Sequence, residues 1–283
     1  MSILVFGKTG QLARELARHE AVSCLGREEA DLSDPEACAA AIRQARPAAV
    51  VNAAAYTGVD KAEDEEPLAH LVNAQAPAAM ARACAGLDIP FVQVSTDYVF
   101  DGSGNTPWRP EDAVAPVNAY GRSKLAGEVA VRAAGCAHAI LRCSWVVSAH
   151  GGNFVKTMLR LGKDRESLSI VADQIGAPTP ARDLAVACLA MARQLQDAPG
   201  KSGTYHLQGA PQVSWAAFAQ EIFAQADITC AVTDIATRDY PTPAARPLNS
   251  RLDCITLETV FGISQPDWGQ GLNEILKDLG ERT

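Results

Sequence analysis

"SILVFGKTGQLARELARH", residues 2–19, decides how the rest of the chain is read. It opens with a short apolar run that Gly7 closes, and then spaces Leu12, Ala13, Leu16 and Ala17 as one face of a helix. A buried strand followed by an amphipathic helix is therefore expected, with "GKTG" as the turn between them. Gly7 permits a tight turn and Gly10 lets the backbone come close to a pyrophosphate. A helix beginning near Gln11 would present free N–H groups and a positive dipole end to that anion. Ala13 stands where a third glycine is usual, a replacement the dinucleotide-binding pattern tolerates.

The same unit repeats outward from this start. "AVSCLG" reads as a second strand, and "DPEACAAAIRQA" as a helix with Asp34 as N-cap and Pro35 at its first position. "AAVVNAAA", "FVQVSTDYVF" and "AHAILRCSW" are further buried strands, separated by the helical stretches "EEPLAHLVNAQAPAAMARACAGL" and "SKLAGEVAVRAAG". Strands alternating with helices build a parallel sheet covered on both faces. The expected fold class is α/β, a doubly wound Rossmann-type parallel sheet. After about residue 148 the regularity fades, and "QIGAPTP" and "RDYPTPAARPLNSR" are proline-punctuated loops, too irregular to continue the sheet. We expect an NAD(P)-binding domain over residues 1–147. Residues 148–283 would form a smaller, irregular α/β substrate lobe, some of whose segments return to pack on the first domain.

Composition narrows the function. The chain has 283 residues, 48% of them hydrophobic, which excludes an intrinsically disordered chain. A formal net charge of -8 argues against a nucleic-acid or anionic-membrane binder and leaves small molecules as the expected partners. Eight cysteines are scattered with no CxxC pair, so neither a zinc site nor a redox dithiol is indicated. With no spanning apolar run and no leader pattern, a cytoplasmic protein with reduced thiols is expected.

Ligands of doubly wound folds bind at the carboxyl ends of the strands. At the end of the second strand, Arg27 stands in place of the acidic residue that holds an NAD ribose, so a 2'-phosphate is welcome and NADPH is the expected coenzyme. Glu28 and Glu29 follow directly and keep NADH as the alternative. "VVNAAAYTGVD" ends the third strand with small residues that would let the backbone of Ala54, Ala55 and Tyr56 lie against a flat cofactor. "VQVSTDYVFDG" ends the next with Ser95, Thr96, Asp97 and Tyr98. "NAYGRSK" then places Tyr120 and Lys124 on one helical face, one turn apart. A nearby ammonium would lower the pKa of the phenol and make it a proton donor and acceptor, with a strand-end hydroxyl to position it. Arg246 is a candidate clamp for a substrate diphosphate, or a tie for its proline-rich loop.

A glycine-rich turn at the start, a strand-end hydroxyl and a Tyr-x-x-x-Lys downstream resemble the extended short-chain dehydrogenase/reductases. More specific strings are similar to the dTDP-4-dehydrorhamnose reductase family: "ILVFGKTGQL", "VVNAAAYTGVDKAE", "STDYVFDG", "PWRPEDAVAPVNAYGRSKLAGE", "LRCSWVVS", "VADQIGAPT" and "YPTPAARPLNSRL". This resemblance runs from about residue 2 to about residue 280. It implies reduction of the C4 carbonyl of dTDP-4-dehydro-6-deoxy-L-mannose to dTDP-L-rhamnose by NADPH or NADH. Tyr120 would be the proton donor, Lys124 would hold the nicotinamide ribose and Thr96 would tune the phenol. By the same matching Gly10, Gln11 and Leu12 lie on the pyrophosphate, Asp31 and Leu32 near the adenine, and Ala55, Tyr56 and Thr57 beside the cofactor. Thr96, Asp97, Tyr98 and Trp145 would line the sugar nucleotide. Some members hold magnesium with clustered glutamates at a homodimer interface. Here Glu15 is kept but the other positions fall near Arg182 and Asp278, so no magnesium is expected and both monomer and homodimer stay open. The rival readings are a nucleotide-sugar epimerase or dehydratase of the same superfamily, and a non-catalytic regulatory subunit with this fold.

Overall fold

The computed structural model describes residues 2–282. In chain order the first part comprises β1 (Ile3–Phe6), α1 (Gln11–Leu16), β2 (Val22–Leu25), α2 (Pro35–Ala45), β3 (Ala49–Asn52), α3 (Glu66–His70), α4 (Ala76–Leu87), β4 (Phe91–Thr96), α5 (Ala119–Ala133) and β5 (His138–Cys143). There follow β6 (Val146–Val147), α6 (Phe154–Asp164), β7 (Ser167–Val171), β8 (Ile175–Gly176), β9 (Thr179–Pro180), α7 (Ala181–Asp197) and β10 (Gly203–Leu207). The last elements are β11 (Val213–Ser214), α8 (Trp215–Gln225), β12 (Ala231–Ile235), α9 (Ile255–Phe261) and α10 (Trp268–Asp278).

Six strands form one sheet in the order β10-β5-β4-β3-β1-β2, and every pairing is parallel. The expected doubly wound class is the observed one. β1 explains why both faces are buried. Ile3 and Val5 point into one apolar cluster with Leu16, Leu184, Leu189 and Leu195, while Leu4 and Phe6 point into another with Ile42, Met80 and Phe91. The period-two alternation of a strand thus feeds two cores at once, so a continuous apolar run is what the position requires. Each fully buried side chain of this size is worth about 1.5–3 kcal/mol. Asp34 caps α2 through Ala37 N–H, and Pro35 is its first residue, as the sequence predicts.

Two features depart from expectation. Gly203–Leu207, in the part of the chain assigned to the substrate lobe, returns not merely to pack on the first domain but to add the sixth strand of its sheet beside β5. The stretch 66–87 is helical throughout, but Leu71–Gln75 widens to a π-helical turn just before Pro77 of α4. Proline has no N–H to give the preceding turn, and a widened turn absorbs that loss.

A third cluster gathers Val155, Leu159, Phe218, Phe223, Leu272 and Leu276 from α6, α8 and α10, with the paired strands β7 and β12 beside them. α7 instead packs on the large sheet, its Leu184, Leu189 and Leu195 filling the core against α1. No helix among the described residues is long and apolar enough to cross a membrane.

Candidate active site

The strand order reverses at β1, with β2 on one side and β3 on the other. Such a switch point opens a crevice at the carboxyl ends of the strands. Gly7 closes β1 at φ +117, where an added Cβ would press on Ala13 Cβ at 3.3 Å and Ala53 C at 3.4 Å. Gly10 is the N-cap of α1 with no capping side chain, and a Cβ there would meet open space. The turn therefore has the bare backbone and clearance that a pyrophosphate needs. Gln11 turns its side chain the other way. Its amide accepts from Ser148 Oγ at 3.0 Å and Asn153 Nδ2 at 2.9 Å, and donates to the Val146 carbonyl. Leu12 is buried in the core.

At the end of β2, Arg27 is 86% exposed and lies 3.8 Å from Asp31, whose carboxyl the Ser33 N–H holds below its usual range. Leu32 is buried under α2. The carboxylate nearest the strand end belongs instead to Glu29, which accepts Gly26 N–H at 2.7 Å and Lys8 Nζ at 2.8 Å.

After β3, Ala54, Ala55 and Tyr56 are half-buried and Thr57 is exposed. Asn73 fixes this loop, accepting Tyr56 N–H at 2.8 Å and donating to the Tyr56 carbonyl at 3.0 Å. The same amide donates to Ser123 Oγ, which donates to the Tyr120 carbonyl. Asn73 stands on the π-helical turn, so a local irregularity aims one side chain at both the loop and α5. Nothing in the sequence reading pointed to it. Tyr56 donates its hydroxyl to Glu65, which pushes its own pKa up to about 12.

Tyr120 and Lys124 are set by the start of α5. Asn118 caps the helix through Gly121 N–H, and Gly121 lies so close to the Tyr98 carbonyl that a Cβ would be 2.2 Å from it. Tyr120 is half-buried, its ring edge-on to Tyr98 at 5.6 Å, with the Thr96 hydroxyl in hydrogen-bond reach of its phenol. Lys124 is buried and donates to the Val94 carbonyl of β4 at 2.7 Å. Beneath them, Glu128 takes Arg142 at 2.7 Å and Ser95 Oγ at 2.6 Å, bracing α5 on β4 and β5.

The electrostatics correct one expectation. The phenol of Tyr120 is pushed up from 10.0, not down: burial dominates, the Cys143 thiol and Asp97 add to it, and only the Thr96 hydrogen bond opposes. Burial likewise lowers Lys124 to about 8. Desolvation disfavours both charged forms and is the largest influence on each. Tyr120 therefore rests protonated, which is the state a proton donor must start from.

Thr96 ends β4, donating to Asp97 and accepting Tyr98 N–H at 3.2 Å each. Asp97 is 3% exposed, and its Oδ2 has no hydrogen-bond partner. Burial raises its carboxyl to about 6, against hydrogen bonds from Ser250 and Thr96. Trp145 follows β5 at φ +48, a strained conformation for a large side chain. Its ring stacks on Trp215 at 3.6 Å, and Gly176 lies so close that a Cβ there would be 3.0 Å from the indole. Trp215, at the first position of α8, was not anticipated. Arg246 is engaged by Asp60 at 2.8 Å and by the Ala244 carbonyl at 3.0 Å, tying the proline-rich loop to the loop after β3.

Away from the crevice, Arg182 sits among Glu274 at 2.6 Å, Asp278 at 3.1 Å and Glu15 at 3.8 Å. Among the described residues no group of three or more acidic, His or Cys side chains is arranged to hold a metal ion.

The family model for the RmlD substrate binding domain matches residues 1–281. The dTDP-4-dehydrorhamnose reductase of Sinorhizobium fredii is 46% identical over 98% of this chain and 97% of its own length. Among solved structures, a dTDP-4-dehydrorhamnose reductase from Clostridium acetobutylicum superposes with a TM-score of 0.92 at 37% identity, covering 99% of this chain and 100% of that one. The Bacillus anthracis reductase, solved in complex with NADP, follows at 0.90 and 35%, covering 98% and 100%. A turn bare enough for a pyrophosphate, a protonated phenol at the strand ends and end-to-end likeness agree: this chain belongs to the dTDP-4-dehydrorhamnose reductase family.

Proposed function

We propose that this chain reduces dTDP-4-dehydro-6-deoxy-L-mannose to dTDP-L-rhamnose, the last step in making that nucleotide sugar. The observation that carries this reading is the meeting of Thr96, Tyr120 and Lys124 at the carboxyl ends of β4 and β5, beside a glycine turn shaped for a dinucleotide. Bound in the crevice, NADPH supplies the hydride that C4 receives. The protonated phenol of Tyr120 donates to the oxygen as it becomes an alkoxide, and the Thr96 hydroxyl holds the phenol in place. Lys124, anchored on Val94, brings an ammonium that stabilises the phenolate left behind. The free Oδ2 of Asp97 is ready to accept a sugar hydroxyl, and Trp145 gives the ring an apolar edge. The Ala54–Thr57 loop, held by Asn73, walls the coenzyme side. Gly7, Gly10, Gln11 and Leu12 take the pyrophosphate, while Arg27, Asp31 and Leu32 stand at the adenosine end. Eight free thiols suit a reducing cytoplasm.

The test supplies the keto sugar, freshly made with its upstream epimerase, and follows NADPH absorbance. One equivalent of NADPH oxidised per dTDP-L-rhamnose formed supports the reading. Sugar turnover with no net oxidation would refute it in favour of an epimerase or dehydratase.

A further inference from the structure

We infer that Lys8 and Glu29 form the coenzyme-selecting pair of this enzyme, in which a carboxylate and a ribose 2'-phosphate compete for one ammonium; the inference rests on the reductase reading above. Glu29 lies beyond the end of β2 in sequence, yet its carboxylate is brought back to that end. A turn closes with Glu29 N–H and Ala30 N–H both on the Gly26 carbonyl, at 3.2 and 2.9 Å. The side chain then folds over, so that Oε2 accepts Gly26 N–H at 2.7 Å. This is where a dinucleotide fold places the acid that receives a ribose 2'-hydroxyl. Lys8 comes from the glycine turn after β1, the strand paired with β2, and donates to Glu29 Oε1 at 2.8 Å. Gly26 makes room for the meeting, since a Cβ there would be 2.9 Å from Glu29 Oε2 and 3.1 Å from Lys8 Cδ. Both side chains remain open to a ligand, at 56% and 43% exposure.

The two coenzymes load this pair differently. A 2'-hydroxyl is a neutral donor, so Glu29 accepts it while Lys8 stays in its ion pair. A 2'-phosphate is a dianion that the Glu29 carboxylate repels. It must draw Lys8 away from Glu29 to gain a charge-assisted contact. Arg27, on the same turn and already extended into solvent, adds a second cation without giving up a strong partner. Glu29 thus favours NADH directly and holds back NADPH by occupying Lys8, and Lys8 does the reverse.

The experiment measures dissociation constants of NADPH and NADH without the sugar, for the wild type, Glu29→Gln and Lys8→Met, at low and high salt. Glu29→Gln keeps an acceptor for Gly26 N–H. It should tighten NADPH and loosen NADH, moving their ratio about tenfold, the scale of one exposed charge-assisted hydrogen bond. Lys8→Met should move the ratio the opposite way by a similar factor. High salt should shrink the NADPH changes more than the NADH changes. Ratios unchanged in both variants, with the wild type binding both coenzymes, would overturn the selecting pair alone. A wild type that binds neither would instead bring down the reductase reading.

Discussion

Replacing Lys124 by methionine should make the coenzyme-free protein more stable while abolishing most of its turnover. Burial lowers this lysine from 10.5 to about 8 in the folded chain. Between those values the unfolded chain holds a proton that the folded chain has released, so stability rises with pH across that window. Read the other way, below about pH 8 the folded state carries the whole cost of a buried ammonium, on the order of 3 kcal/mol at 1.36 kcal/mol per unit. Methionine fills a similar volume without the charge. What it forfeits is one hydrogen bond, about 1 kcal/mol, and the Val94 carbonyl it leaves still accepts Gln93 Nε2 at 2.9 Å. The net gain at pH 7 is about 2 kcal/mol, or about 4–8 °C in melting temperature. By pH 10 the gain should have largely gone, because the wild type then no longer carries the charge. The assay is thermal unfolding of both proteins at pH 7 and pH 10, beside steady-state reduction. A variant less stable than wild type at pH 7, or an identical difference at both pH values, would refute the argument that this ammonium is held at a cost for catalysis.

Tyr120→Phe should lower kcat by about 100- to 10,000-fold, the scale of general acid catalysis, with coenzyme affinity unchanged by direct titration. Asp97→Asn should raise KM for the keto sugar and raise stability at pH 7. The wild-type carboxyl, raised from 3.8 to about 6, binds a proton in the folded chain that the unfolded chain lacks, so the wild type loses stability as pH climbs through that interval. That fall should be missing from the variant's profile of melting temperature against pH. Gly121→Ala should cost about 1–3 kcal/mol and depress turnover, because the new Cβ would fall 2.2 Å from the Tyr98 carbonyl and push Tyr120 away from Thr96. Calorimetry and kinetics on the same preparation would check both effects.

Much of this was legible in residues whose neighbours in sequence are also their neighbours in space. The alternation in β1 and the glycines after it announce a parallel sheet with a crevice at its switch point, and the spacing of Tyr120 and Lys124 puts them on one turn of α5. What escaped depends on long-range placement. "GTYHL" is a plausible strand, but nothing local says that it joins β5. Asn73 reads as one more polar residue in a helix until the widened turn aims it at Tyr56. Arg27 is legible as a cation beside the ribose end, but only the turn after β2 shows that the Glu29 carboxylate is carried back to the same place. The acidity of Tyr120 was misjudged for a related reason: spacing reveals a nearby charge, but only the packed structure reveals how little water remains.

β10 also bears on how the enzyme matures. The outer edge of β5, the strand leading into Trp145, stays bare until Gly203–Leu207 has been synthesised and docked. A nascent chain therefore passes through a stage in which five strands are assembled and one flank invites pairing with a stranger. β5 is covered late, from beyond α6 and α7, and β10 then becomes the edge strand in its place. A chain truncated before Gly203 should accordingly lack the sixth strand and leave the β5 flank open to self-association.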